Sequence, residues 1–194
     1  MRIIFATNNP HKVKEVKDLA PSGFNIVSLK DAGIVTNIPE PYDTLEANAA
    51  EKSRVIETLT RANCFSEDTG LEVEALNGEP GVRSARYAGD AASDKMNVEL
   101  LLKNLGNHPN RKARFRTVIS LRCQGMEYLF EGICPGSIAL KPLGSAGFGY
   151  DPVFVPDGAD RTFAQMTAEE KHQYSHRGKA MAQLIDFFLS INIG

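Results

Sequence analysis

The sequence predicts an α/β fold in which helices flank a mixed sheet, and three observations carry that prediction. The first third alternates short apolar runs with amphipathic stretches in the order strand, helix, strand, helix. Lys112–Arg122 and Glu127–Leu140 read as two long strands joined by a turn at Gln124-Gly125, a hairpin pattern. The chain then closes on a helix with an apolar stripe. Parallel-type units followed by a hairpin make the sheet mixed and leave room for a division into two lobes.

In chain order, Arg2–Thr7 is a short apolar strand, and Asn9-Pro10 supplies an N-cap followed by proline at the first helical position. Val13, Val16 and Ala20 recur on one side of the helix, with Lys14, Glu15, Lys17 and Asp18 on the others. Phe24–Leu29 reads as a second strand. Asp43 and Glu46, three apart, have the pattern of a capping box that opens a long helix to about Arg61. Between Cys64 and Leu76 the pattern predicts a strand, a polar Glu67-Asp68-Thr69-Gly70 turn, and a half-buried strand alternating through Leu71, Val73 and Ala75. Asp94–Leu105 is helical. The last helix begins after Ser175, its N-cap, and carries Met181, Leu184, Ile185 and Phe188 on one stripe, widened by Phe187 and Leu189. With no repeat and no long linker, residues 1–194 are expected to form a single domain.

Composition narrows the class of function. Hydrophobic residues make up 42% and charged residues 24%, ordinary globular usage. A net charge of -2 argues against a nucleic-acid binder, which needs a broad excess of Lys and Arg, yet leaves room for a small anionic ligand held by a few local cations. No run reaches the length of a membrane span and no leader-like segment opens the sequence, so a cytoplasmic protein without a membrane partner is expected. Cys64, Cys123 and Cys134 lack CxxC spacing, which points to buried reduced thiols.

Four segments carry chemistry. Thr7-Asn8-Asn9-Pro10-His11-Lys12 sits at a strand-to-helix junction, where free N–H groups and the helix dipole favour an anion and Lys12 adds full charge; an ordinary cap with a solvated lysine explains the same residues. In Ser66-Glu67-Asp68-Thr69-Gly70 two adjacent carboxylates repel unless a cation or solvent intervenes, so the alternatives are a magnesium site and a hydrated turn. The stretch 144–152 has three glycines that permit close backbone approach and Phe148 as a surface for stacking, and reads equally as a glycine-rich turn with a core phenylalanine. It is neither a dinucleotide fingerprint nor a P-loop. Lys171 and Ser175-His176-Arg177 put positive charge near the last helix, and the His172/His176 spacing is not read as zinc-binding because the pair straddles a helix boundary.

Taken together and in order, TNNPHK, SEDTGL, PGVRSARYAG, GFGYDPVFVP and EEKHQYSHRGKA resemble the inosine triphosphate pyrophosphatase family, which removes non-canonical purine nucleotides. The resemblance covers almost the whole chain, and five strings in one order are specific where each alone is weak. It implies an elongated form with a central active-site cleft, a magnesium ion and a homodimer. By motif, Thr7, Asn8, Asn9, Pro10, His11 and Lys12 would bind the triphosphate, with Lys52 also reaching phosphate. Asp68 matches the general base and metal ligand, with Thr69 contacting substrate. Phe148, Gly149, Tyr150 and Asp151 would lie against the base, which Lys171, His176 and Arg177 would help to bind. Glu40 corresponds to a further magnesium ligand, although its Ile-Pro-Glu-Pro-Tyr-Asp setting departs from the glycine-containing stretch of the family.

These roles cohere physically. Asn48 and Lys52 lie one turn apart on one helix, which could aim Lys52 at phosphates held by Lys12. Asp68 would orient or deprotonate a water for attack on the alpha phosphorus of ITP, dITP or XTP, with pyrophosphate leaving toward Lys12 and Lys52. Donors around His176 and Arg177 would favour a 6-oxo purine over adenine. Two rivals stay open: a pyrophosphatase for modified pyrimidine or canonical triphosphates, and a non-catalytic nucleotide sensor.

Overall fold

The computed structural model describes residues 2–191. Among these described residues seven strands form one sheet: β1 (Arg2–Phe5), β2 (Asn25–Ser28), β3 (Cys64–Val73), β4 (Pro80–Gly81), β5 (Lys112–Cys123), β6 (Met126–Ile138) and β7 (Phe154–Pro156). The order is β2-β1-β3-β5-β6-β7, with β4 paired to β3. β1 runs parallel to β2 and β3, whereas β3/β4 and β6/β7 are antiparallel, so the sheet is mixed as the sequence predicts. Among the described residues five α-helices accompany it: α1 (Pro10–Leu19), α2 (Leu45–Thr60), α3 (Asp94–Leu105), α4 (Ala168–Tyr174) and α5 (His176–Ser190). None of the described helices is long and apolar enough to cross a membrane.

The chain divides into two compact units, one comprising residues 1–68, 117–132 and 177–194, the other residues 69–116 and 133–176. In the first unit, side-chain alternation along β1 builds two cores. Ile3 and Phe5 point to one face, where they meet Val16 of α1 and Met181, Leu184 and Phe188 of α5; Ile4 and Ala6 point to the other, against Ile56 of α2. β3 obeys the same rule, with Phe65 in the first core and Cys64 in the second. The second unit is built around Leu101 of α3, Phe115, Phe154 and Phe163.

The structure corrects several expectations. β3 runs unbroken from Cys64 to Val73, so residues 67–70 are strand and not a turn. The reason is Gly70: a Cβ there would lie 2.6 Å from the Gly81 carbonyl oxygen, and the glycine serves close approach of β4 to β3. Thr44, not Asp43, caps α2, accepting from the Ala47 N–H at 3.2 Å. α4 was not foreseen, although Thr167 and Glu170 form its capping box. α5 begins directly after Ser175 as the sequence predicts, and Ser175 also ends α4, its N–H donating to the Lys171 carbonyl; Leu189, by contrast, turns outward instead of widening the stripe of α5. β1 stops at Phe5, two residues short of the expected end. The hairpin turn holds, with Gln124 and Gly125 both at positive φ, 53° and 76°.

Candidate active site

In the first unit, charged side chains gather where β3 meets α1, α2 and α5. Asn9 caps α1 as the sequence predicts, its side-chain oxygen accepting from the N–H groups of His11 at 2.9 Å and Lys12 at 3.2 Å; Pro10 occupies the first turn. The Thr7 hydroxyl accepts from the Asn9 N–H at 3.2 Å, and the Asn8 amide donates to the Thr36 carbonyl at 3.0 Å. His11 is exposed. A cavity of about 820 Å³ beside α1 is lined by Thr7, Asn8, Pro10 and three lysines, but Lys12, Lys52 and Asp68 lie outside its lining.

Strand alternation separates the two adjacent acids. Glu67 follows Phe65 onto the face covered by α1 and α5, where its two oxygens accept from Arg177 Nε and Nη2, each at 2.8 Å, and Lys12 Nζ lies 3.2 Å away. Glu15, three residues beyond Lys12, takes a further bond from Arg177 Nη1. Asp68 follows Cys64 and Ser66 onto the face covered by α2. There Ser66 donates to the Ala49 carbonyl, and Lys52 Nζ donates to Asp68 Oδ1 at 3.1 Å and to Glu40 Oε1 at 2.5 Å. The loop leading into α2 is pinned by Asn48, whose amide exchanges two 3.0 Å bonds with the Tyr42 backbone.

Burial and pairing set the charges. Burial pushes the Glu67 carboxyl up, but Arg177 and Lys12 outweigh it and hold the group down at about 2. Burial also raises Asp68, and here Lys52 and Lys12 offset it only in part, so the group holds its proton more tightly than a free aspartate. For Lys52, burial opposes the charge while Asp68 and Glu40 prevail and raise its pKa. Asp68 Oδ2 is buried and has no hydrogen-bond partner among the described residues. A buried carboxylate oxygen left in this way fits a cation or a bound water. No three His, Cys, Asp or Glu side chains among the described residues gather to hold a metal by themselves. An ion at Asp68 would therefore rest on one or two carboxylates together with phosphate oxygens, which is how magnesium is commonly held.

In the second unit, the glycine-rich stretch wraps a buried carboxylate. Asp151 Oδ2 accepts from the Phe148 N–H at 2.9 Å and from Lys171 Nζ at 2.7 Å, and that ammonium lies 5.1 Å from the centre of the half-buried Phe148 ring. Tyr150 is buried, its hydroxyl donating to the Ser84 carbonyl at 2.9 Å, and the Gly149 N–H donates to Asp94 at 2.6 Å. His176 stacks on Phe115 with ring centres 4.6 Å apart. Thr69 is half-buried in β3.

The Ham1 family model matches residues 3–187. The chain belongs to the Ham1 family. A dITP/XTP pyrophosphatase of Flavobacterium psychrophilum is 47% identical over 188 residues, covering 97% of this chain and 99% of that protein. One of Porphyromonas gingivalis is 49% identical over 189 residues, covering 97% of each. Among solved structures, the Staphylococcus aureus Ham1 protein superposes with a TM-score of 0.89 at 38% identity, covering 99% of this chain and 100% of that one.

Within this Ham1 chain the expected residues thus fall into two sets. In the first unit Lys52 pairs with Glu40 and Asp68, while Lys12 and Arg177 share Glu67 on the other face of β3; in the second, Phe148, Asp151 and Lys171 form a cluster. His176 and Arg177, neighbours in sequence, divide between the two units. Sequence reasoning missed Glu15, whose signal was its place one turn beyond Lys12 on the same helix. It also gave no role to Asn48 or Asp94, whose partners are backbone groups that no side-chain pattern reveals.

Proposed function

We propose that this chain hydrolyses non-canonical purine nucleoside triphosphates, ITP, dITP and XTP, to the monophosphate and pyrophosphate. The observation that carries the proposal is Asp68, which keeps one oxygen on Lys52 and the other buried without a partner. Surface acids in a turn are hydrated; a carboxylate enclosed beside two lysines is placed for chemistry on an anion. The names of the relatives at 47% and 49% identity supply the reaction and the substrate class.

The roles follow from position. Asp68, raised by burial, is suited to take a proton from water attacking the alpha phosphorus. Lys12 and Lys52 would move from carboxylate partners to phosphate oxygens, and Thr7, Asn8, Asn9, Pro10 and His11, at the N-terminus of α1, are assigned to the triphosphate. Magnesium is the metal we assign, held by Asp68 with Glu40 as further ligand, where it would neutralise developing charge on the phosphates. Thr69 is assigned to substrate, and Phe148, Gly149, Tyr150, Asp151, Lys171 and His176 to the base. Arg177 is assigned to the base in its turn, with its carboxylate partners as the resting arrangement.

Residues 1–194 are assigned to one catalytic domain, supported by the span of the family match. Three unbridged buried thiols suit a reducing compartment, and the cytoplasm is the one we assign. The assembly assigned is a homodimer, which equilibrium sedimentation tests.

Incubation with ITP, dITP, XTP and ATP, with magnesium and with a chelator, tests the reaction. The expected products are monophosphate and pyrophosphate from the first three, lost on chelation. Equal rates on ATP would favour a general nucleotide pyrophosphatase, and binding without turnover would favour a sensor.

A further inference from the structure

Three consecutive residues of the second unit, Phe148, Gly149 and Tyr150, are each held by a different anchor. The Phe148 N–H donates to Asp151, the Gly149 N–H donates to Asp94 Oδ2 at 2.6 Å, and the Tyr150 hydroxyl donates to the Ser84 carbonyl. Two of these anchors are rigid for evident reasons. Asp151 is buried and paired with Lys171. Ser84 is buried, its hydroxyl accepting from the Leu71 N–H at 2.8 Å and donating to the Gly81 carbonyl at 2.6 Å, which locks residues 81–84 to β3. The third, Asp94, comes from another element, the first turn of α3.

Asp94 is itself held in place. Ser93 caps α3, and the buried Asn97 ties the helix to residues 85–88 by accepting from the Ala88 N–H at 2.8 Å and donating to the Ala85 carbonyl at 3.1 Å. As an anion accepting a backbone N–H, Asp94 makes a stronger bond than a neutral acceptor. The amide it captures lies between the Phe148 ring and the Tyr150 phenol, in a glycine at φ 62° whose backbone lacks a side chain to restrain it.

We propose that Asp94 is a positioning residue for purine recognition: by capturing the Gly149 N–H it fixes the peptide that sets the Phe148 ring, and so the preference for a 6-oxo purine over adenine. The proposal rests on the functional reading above and deepens it. Asp94 touches no substrate in this assignment; it acts through Gly149.

The test compares Asp94→Ala and Asp94→Asn with the parent protein in two measurements, amide hydrogen exchange at Gly149 and steady-state kinetics with ITP and with ATP. The expected result for Asp94→Ala is faster exchange at Gly149 and a fall of about tenfold in the ITP to ATP ratio of kcat/KM, carried by KM for ITP. Asp94→Asn, which keeps an acceptor oxygen, should restore most of both. Unchanged exchange in Asp94→Ala overturns the latch. Faster exchange with an unchanged ratio, or an equal fall in kcat on both nucleotides, overturns the role in recognition. A parent protein that turns over neither nucleotide overturns the functional reading instead, and exchange at Gly149 then decides the latch by itself.

Discussion

Glu67 and Asp68 are adjacent in β3 and serve opposite purposes because they face opposite sides of it. Glu67 has both oxygens on Arg177, whereas Asp68 has Lys52 on one oxygen and a buried, unpartnered second one. One is a structural counter-ion and the other is the residue to which the proposed function gives the proton transfer, and the difference in surroundings comes from the two-residue period of a strand.

Asp68→Asn should lower kcat on ITP by about 10²–10⁴-fold, the usual contribution of a positioned proton acceptor. The chain should still fold, because Lys52 keeps its bond to Glu40 and an amide at 68 retains an oxygen that can accept from Lys52, so circular dichroism should match the parent. A variant that keeps near-normal turnover assigns the proton transfer elsewhere.

Glu67→Gln should show the reverse signature. It removes the charge that faces the fully buried Arg177, and breaking a buried pair costs about 3–5 kcal/mol. Urea unfolding should show a lower midpoint at an unchanged slope. A stability within 0.5 kcal/mol or so of the parent, the range of an ordinary surface substitution, would mean that Arg177 is not held as described.

Much of this arrangement was legible in advance, and the reasons are local. Asn9-Pro10 announces α1 because capping and proline geometry act over three residues, and Gln124-Gly125 announces the hairpin because its turn needs two residues at positive φ. What was not legible was nonlocal. Gly70 looks like a turn residue until β4 is laid against it, and Glu67 and Asp68 cannot be told apart until β3 is known to be continuous. The Glu15–Arg177 bond spans 162 residues, beyond the reach of any spacing rule.

Cys64 gives a prediction about pH. Its thiol donates to the Ser53 carbonyl at 3.3 Å, and burial, with a smaller push from Glu57, raises it from 9.0 to about 12. A thiol raised in the folded state stabilises it fully below pH 9, where both states are protonated. The contribution is lost between 9 and about 12, as the unfolded chain ionises first. Stability measured against pH should therefore fall more steeply across that window in the parent than in Cys64→Ala. Parallel curves would place the thiol in contact with solvent.

Gly147 and Gly149 offer a controlled comparison, since both have positive φ, 76° and 62°, but different surroundings. A Cβ at Gly149 meets nothing within 4 Å, so Gly149→Ala carries backbone strain alone, about 1 kcal/mol. A Cβ at Gly147 would lie 2.0 Å from Asp151 Oδ2, the atom that holds both Lys171 and the Phe148 N–H. Asp151 is buried and cannot swing into solvent, so relief must break one of those bonds. Gly147→Ala should therefore lose about 1–3 kcal/mol more than Gly149→Ala in urea unfolding. It should also raise KM for ITP, because the Lys171 ammonium and the Phe148 N–H no longer share one carboxylate. Equal losses in the two variants would mean that the loop shifts as a body and that Asp151 is not the post around which it is built.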